Sequence, residues 1–196
     1  MRCISAVLVA VLFVGCGESQ KSRLANPNTS YIPTTGGGGS EPGTDSISYW
    51  DGDGVFGAPS VVVYLKEQRA YFYKGDQMVG VSQVSAGREG HNTPSGNYKV
   101  IQKDLDHASN LYGDYVDATG NIVQKDVEAG KDPKPPGAIF KGAPMPFFMR
   151  ITGGVGMHKG YLPGYPASHG CIRMPGKMAE IFFNNVQVGT PVQIVN

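Results

Sequence analysis

The chain has 196 residues, enough for one domain with a real core and too few for two of ordinary size. Its 17 Lys and Arg nearly balance 16 Asp and Glu, leaving a net charge of +1, which excludes a global field that would draw it to nucleic acid or to an anionic membrane surface. With 28 Gly and 14 Pro, and few amphipathic helical runs in the middle of the chain, a turn-rich, mainly β architecture is expected.

Residues 4–14 form an uncharged apolar run behind Arg2, shorter than the roughly 20 residues that span a bilayer as a helix. Residues 1–15 are therefore expected to be an export signal. The run ends in Phe13-Val14-Gly15-Cys16, which resembles a bacterial lipoprotein cleavage box with Phe where Leu is usual; that implies acylation of Cys16 and loss of Cys3 with the signal. Residues 16–47 are Ser, Thr, Asn, Pro and Gly with few sizeable apolar side chains, and include four consecutive glycines, Gly36 to Gly39. Such a stretch buries too little to fold by itself and is expected to be a disordered tether, with a catalytic domain over residues 48–196. The expected location is outside the cytoplasm, held to a membrane by lipid and facing the periplasm or wall.

Within that domain, Val61-Val62-Val63-Tyr64-Leu65 is a β-branched and aromatic run typical of a buried strand, and residues 70–73 and 78–84 continue as two more, turned at Lys74-Gly75-Asp76. Asp51-Gly52-Asp53-Gly54 lacks the later ligands of a calcium loop and is expected to be a simple turn. Thr93-Pro94-Ser95-Gly96 feeds a further strand. Residues 104–146 turn polar and Pro-rich without sustained periodicity, so they are expected to be loops around a site. Strand character returns at 147–152. Met178, Ile181 and Phe182 at helical spacing predict one short helix, followed by a closing strand or hairpin about Gly189-Thr190.

Loss of Cys3 and acylation of Cys16 leave Cys171 without a disulfide partner. A free thiol in an oxidising compartment needs a chemical reason to persist, although a lone Cys is often just a small buried hydrophobe. A thiol with an ordinary pKa of about 8.5 is only a few per cent ionised at neutral pH, so a nucleophilic Cys needs an imidazole to take its proton. Either His158 or His169 has a position suited to this: His169 shares a face with Cys171 if the segment is extended, and Gly and Pro turns permit His158 to sit on an adjacent strand. Gly170 frees the backbone so that amide N–H groups can face an oxyanion, and Arg173 has the right parity to hold a substrate carboxylate.

Ser168-His169-Gly170-Cys171-Ile172-Arg173, with His158 upstream, resembles the signature of the L,D-transpeptidase catalytic domain, the YkuD family. The likeness extends over roughly residues 59–195, because Val84-Ser85-Ala86-Gly87, Thr93-Pro94-Ser95-Gly96 and Gly189-Thr190-Pro191-Val192 resemble its other landmarks in order. The resemblance implies a β-sandwich or barrel-like fold with His158 as the base, oriented by the backbone carbonyl of Lys159. It further implies an oxyanion hole from His169, Gly170 and Cys171, and substrate binding by Arg173, with Ser168 and Tyr165 beside it. The implied reaction is attack of Cys171 on the carbonyl before the terminal D-Ala of a peptidoglycan tetrapeptide stem, then transfer to an amine. No metal or organic cofactor is implied, and a monomer is expected.

Other readings weigh against this one. Water as acceptor makes the enzyme an L,D-carboxypeptidase, and a protein amine makes it a protein-to-wall transferase. A non-catalytic wall-binding lipoprotein needs no turnover at all. His158, His169 and Cys171 have the chemistry to ligate zinc, but no fourth ligand with recognisable spacing accompanies them. His91 and His107 are expected at the surface or in loops, and Tyr112, Tyr115, Tyr161 and Tyr165 either line a groove or simply pack.

Overall fold

A computed structural model describes residues 30–31, 45 and 47–196. The predicted signal, Cys16 and most of the predicted tether lie outside the described residues. Within that predicted tether, however, Ser30–Tyr31 (β1) pairs antiparallel with Tyr49–Trp50 (β2), so the tether carries a strand where none was expected.

The strands predicted from β-branched runs form as Pro59–Tyr64 (β3), Arg69–Lys74 (β4) and Gln77–Gln83 (β5), paired as an antiparallel meander. Alternation sends Val61, Val63, Ala70 and Phe72 inward, all almost fully buried. Gly96–Lys99 (β6) and the terminal Pro191–Val195 (β14) complete a seven-stranded sheet in the order β1-β2-β5-β4-β3-β14-β6. The terminal segment is thus one strand, parallel to β3 and antiparallel to β6, and not a hairpin about Gly189.

Gln102–Asp104 (β7), Phe148–Thr152 (β11), Val155–Lys159 (β12) and Ile172–Met174 (β13) form a second sheet, ordered β13-β12-β11-β7. Its inner face contributes Met149, Ile151, Met157, Ile172 and Met174 to the same core as Val61, Phe72, Val192 and Ile194. The predicted helix is Gly176–Asn185 (α1), whose Met178, Ala179 and Phe182 complete that core; Phe182 meets Phe72 edge-on with centroids 5.0 Å apart. Two sheets with one helix around a shared apolar layer make the expected β-sandwich. Truncating Phe72 to Ala would cost about 3–5 kcal/mol, because neither sheet can close over the space left.

The region 104–146 departs from expectation. Most of it is a third, three-stranded sheet of Ala108–Val116 (β8), Ile122–Glu128 (β9) and Ile139–Pro144 (β10), ordered β10-β8-β9. It holds its own small core of Tyr115, Val127 and Ala138 with Phe140 against it. Several of its apolar side chains, Leu111, Ile122, Val123 and Ile139, stand exposed, so the alternation that betrays a half-buried strand is lost. Gly113 pairs with Gly142 between β8 and β10, where a Cβ on either would run into backbone of the other strand.

Candidate active site

Strands β12 and β13 are parallel neighbours, joined by residues 160–171, with Met157 opposite Ile172 and His158 opposite Arg173. Met157 and Ile172 are fully buried, so alternation puts His158 and Arg173 on the other face. Cys171 directly precedes β13 and shares that face, receiving a hydrogen bond to its sulfur from the Gly156 N–H. The register therefore selects His158, the more distant of the two candidates in sequence, as the imidazole one strand away from the thiol.

His158 Nδ1 donates to the Lys159 carbonyl oxygen at 2.7 Å, leaving Nε2 as the lone-pair nitrogen. The contact is with the Lys159 backbone, while the Lys159 side chain runs over Gly176 at the start of α1. His158 is only 5% exposed, with the Phe148 ring 6.2 Å away. Burial, offset by the Lys159 carbonyl and reinforced by the Arg173 charge, pushes its pKa down to about 4. Burial raises the Cys171 pKa, against the Gly156 N–H and the charges of Arg173 and Arg150. The resting pair is therefore neutral, and Cys171 Sγ points its proton at the Gly154 carbonyl, 3.5 Å away.

The turn that presents Cys171 is braced from every side. Ala167 and Ser168 both donate backbone N–H groups to the Ala86 carbonyl at 3.0 Å, and Arg88 N–H donates to the Ser168 carbonyl. Thr93 Oγ1 accepts from the Gly87 N–H and donates to the Gly170 carbonyl at 2.8 Å. Ser85 exchanges backbone bonds with Arg173 and donates its hydroxyl to the Tyr165 carbonyl. The sequence landmarks around Ser85 and Thr93 are thus the frame of the turn that carries Cys171. Gly170 has φ 116°, which a side chain would strain.

Ser168 is 1% exposed and its hydroxyl is spent inside the turn, donating to the Cys171 carbonyl and accepting from the Gly170 N–H at 3.0 Å. It braces the turn and has no free group for a substrate. The same bond takes the Gly170 N–H out of the expected oxyanion set. The amides of His169 and Cys171 have no partner among the described residues and remain as the two donors that an oxyanion can use.

Around this centre lie residues of less certain assignment from sequence. His169 is exposed, stacked on Tyr112 of β8 at 4.2 Å and 25°, met edge-on by His91 at 4.8 Å, and bonded at Nε2 by Arg88 Nη2 at 2.7 Å. Burial first, then the Arg88 charge, lowers its pKa. Of the tyrosines, Tyr112 reaches the site, Tyr115 packs in the small core, and Tyr161 and Tyr165 stand exposed. His107 bonds Asp104 at 2.9 Å and stacks on Phe148 at 4.2 Å, so it supports the ring beside His158 and is not a free surface residue. Among the described residues no three His, Cys, Asp or Glu side chains come together as a metal site.

Arg150 is the residue sequence reasoning missed. It lies on β11 opposite Gly156, on the Cys171 face, with its guanidinium over the Phe148 ring. The one available signal was a charged residue set between Met149 and Ile151 in a mainly apolar strand.

The model of the YkuD family, described as the L,D-transpeptidase catalytic domain, matches residues 58–194. Two curated proteins named "Probable L,D-transpeptidase ErfK/SrfK", from Salmonella typhimurium and Escherichia coli, are each 29% identical over 144 residues, 69% of this chain and 44% of theirs. The chain thus spans under half the length of these relatives. Among solved structures, an L,D-transpeptidase from Mycobacterium smegmatis is 18% identical with TM-score 0.52, covering 71% of this chain and 59% of that one. One from Xylanimonas cellulosilytica is 20% identical with TM-score 0.52, covering 72% and 62%. At these identities the two structures establish the shared fold.

Proposed function

Because the chain belongs to the L,D-transpeptidase catalytic domain family, we propose that it is an exported, lipid-anchored cysteine L,D-transpeptidase acting on peptidoglycan tetrapeptide stems. The observation that carries this reading is the register of β12 and β13, which sets His158 and the Gly156 N–H on the same side as the Cys171 sulfur.

The donor binds with its penultimate carbonyl over Cys171 and its oxygen toward the His169 and Cys171 amides. The thiol swings from the Gly154 carbonyl to His158 Nε2, and the proton passes to the imidazole as the S–C bond forms. The Lys159 carbonyl holds the opposite N–H and stabilises the imidazolium as it appears. That proton then goes to the departing nitrogen of D-Ala, leaving a thioester on Cys171. An acceptor amine attacks the thioester, gives its proton to His158, and releases the cross-linked product with the thiol restored. Water in place of the amine gives carboxypeptidase activity by the same steps, and a protein amine gives wall attachment.

Incubating the purified protein with a tetrapeptide stem and an amine acceptor tests this reading by mass. D-Ala release, a thioester adduct on Cys171 and a cross-linked product are expected. A Cys171→Ala protein that still releases D-Ala would refute the nucleophile, and peptide binding without turnover by the native protein would favour the wall-binding alternative. The anchor is tested separately: labelled palmitate should enter the native precursor and not a Cys16→Ala precursor.

A further inference from the structure

A cation lies across the sheet face from the Cys171 thiol with no carboxylate paired to it among the described residues. Arg150 Nε donates to Gln102 Oε1 and Nη1 donates to the Gly153 carbonyl, both at 2.8 Å, while the guanidinium carbon sits 5.0 Å above the Phe148 ring. These contacts pin the group from one side. A guanidinium has five N–H donors, so three remain, and no described residue accepts from them. The three ion pairs among the described residues use His107, Lys131 and Lys177, and none uses Arg150. Arg173, the other arginine flanking Cys171, is likewise without a carboxylate within 4 Å among the described residues.

Position makes this charge useful. Arg150 pairs with Gly156, and the Gly156 N–H bonds the Cys171 sulfur, so arginine, glycine and cysteine form one row across the sheet. Two strand spacings put the Arg150 and Cys171 backbones about 10 Å apart, with a glycine between them. The side-chain carboxylate of a diaminodicarboxylate, about six bonds from the scissile carbonyl, lies roughly 7 Å from it when extended, within reach of the guanidinium while the carbonyl is at the sulfur. The Gly153–Gly154 turn couples the two ends, since Gly153 accepts from Arg150 and Gly154 accepts from the thiol. A guanidinium already ordered by its neighbours loses little freedom on binding, which distinguishes it from a mobile surface arginine.

We propose that Arg150 is a specificity-determining residue that holds a carboxylate of the acyl donor, fixing the donor across the Gly156 row with its scissile carbonyl at Cys171. This rests on the transpeptidase reading for the identity of the donor, a stem that carries both a terminal carboxylate and, where its third residue is a diaminodicarboxylate, a second one on the side chain. The long arm of the side chain fits the span better than the terminal group, which lies one residue from the scissile carbon.

Binding to Cys171→Ala protein, read by calorimetry, tests the proposal without requiring turnover. Three synthetic tetrapeptides are compared: both carboxylates free, the side-chain carboxylate amidated, and the terminal carboxylate amidated. One amide should bind about tenfold more weakly than the free acid, as for loss of a charge-assisted bond. Adding Arg150→Gln should reduce the free acid to that level and leave that amide unchanged, whereas Arg150→Lys should keep part of the preference. The amide that becomes insensitive identifies the carboxylate. Equal weakening of all three peptides by Arg150→Gln, or no weakening of any, would overturn the assignment. D-Ala release by the native protein is measured alongside: its absence with all three peptides refutes transpeptidation, while the binding comparison still decides the role of Arg150.

Discussion

His158 gives its Nδ1 proton to the carbonyl of its own successor, Lys159, at 2.7 Å, and in doing so commits one ring nitrogen and leaves Nε2 as the acceptor. A side chain bound to the next residue's backbone cannot rotate without losing that bond, and the ring is only 5% exposed, so the tautomer is set by the fold.

That burial makes stability pH-dependent in a definite direction. His158 has its pKa lowered from 6.5 to about 4 in the folded protein, so the unfolded chain binds its proton first as pH falls. The stabilisation is complete above pH 6.5 and is lost as pH falls to about 4, on the order of 3 kcal/mol in all. Denaturant unfolding of native and His158→Gln protein should converge in stability across this window; parallel curves would show that His158 is not the group responsible.

Catalysis should follow the neutral form of the same ring. Turnover is expected to rise as pH climbs through about 4 and then to stay level into the neutral range, since the imidazole must be unprotonated to accept the thiol proton. Alkylation of Cys171 by iodoacetamide should lack any plateau between pH 5 and 7 and should increase only on the alkaline side, because burial raises the thiol pKa. A reactive plateau at acidic pH would reveal a resting thiolate–imidazolium pair.

Ser168→Ala removes the acceptor of the Gly170 N–H and the donor to the Cys171 carbonyl in a site 1% exposed. The expected loss is about 1–3 kcal/mol of stability, with kcat reduced more than KM changes, since the turn that aims the oxyanion donors slackens. Thermal unfolding and steady-state kinetics check both halves; a raised KM with unchanged kcat would return Ser168 to substrate contact.

Tyr112 is the side chain by which the small sheet touches His169, in a stack 4.2 Å between centroids. Tyr112→Phe keeps the ring and should behave as native, while Tyr112→Ala gives up about 0.5–1.5 kcal/mol of ring contact and should lower kcat/KM several-fold. Since the main core does not include Tyr112, the melting temperature of the sandwich should move little. Equal losses in both variants would point to the hydroxyl instead of the stack.

Much of this was legible in the chain. The runs at 60–65 and 147–152 and the spacing of Met178, Ile181 and Phe182 announced their elements because a face buried against the main core imposes its period on the sequence. The strands at 108–144 were not legible, because a sheet whose small core is Tyr115, Val127 and Ala138 with Phe140 imposes almost none.

The site divides in the same way. The sequence by itself marked Cys171 as the candidate nucleophile, with the glycine beside it and the ordered landmarks, since these are properties of residue type and short spacing. Only the tertiary structure set His158 one strand away from Cys171, turned the Gly170 amide to Ser168, buried the His158 ring and brought Arg150 opposite Gly156. Each of these depends on which strand lies beside which and on how much water is excluded between them, quantities set by pairing across dozens of residues and carried by no local pattern.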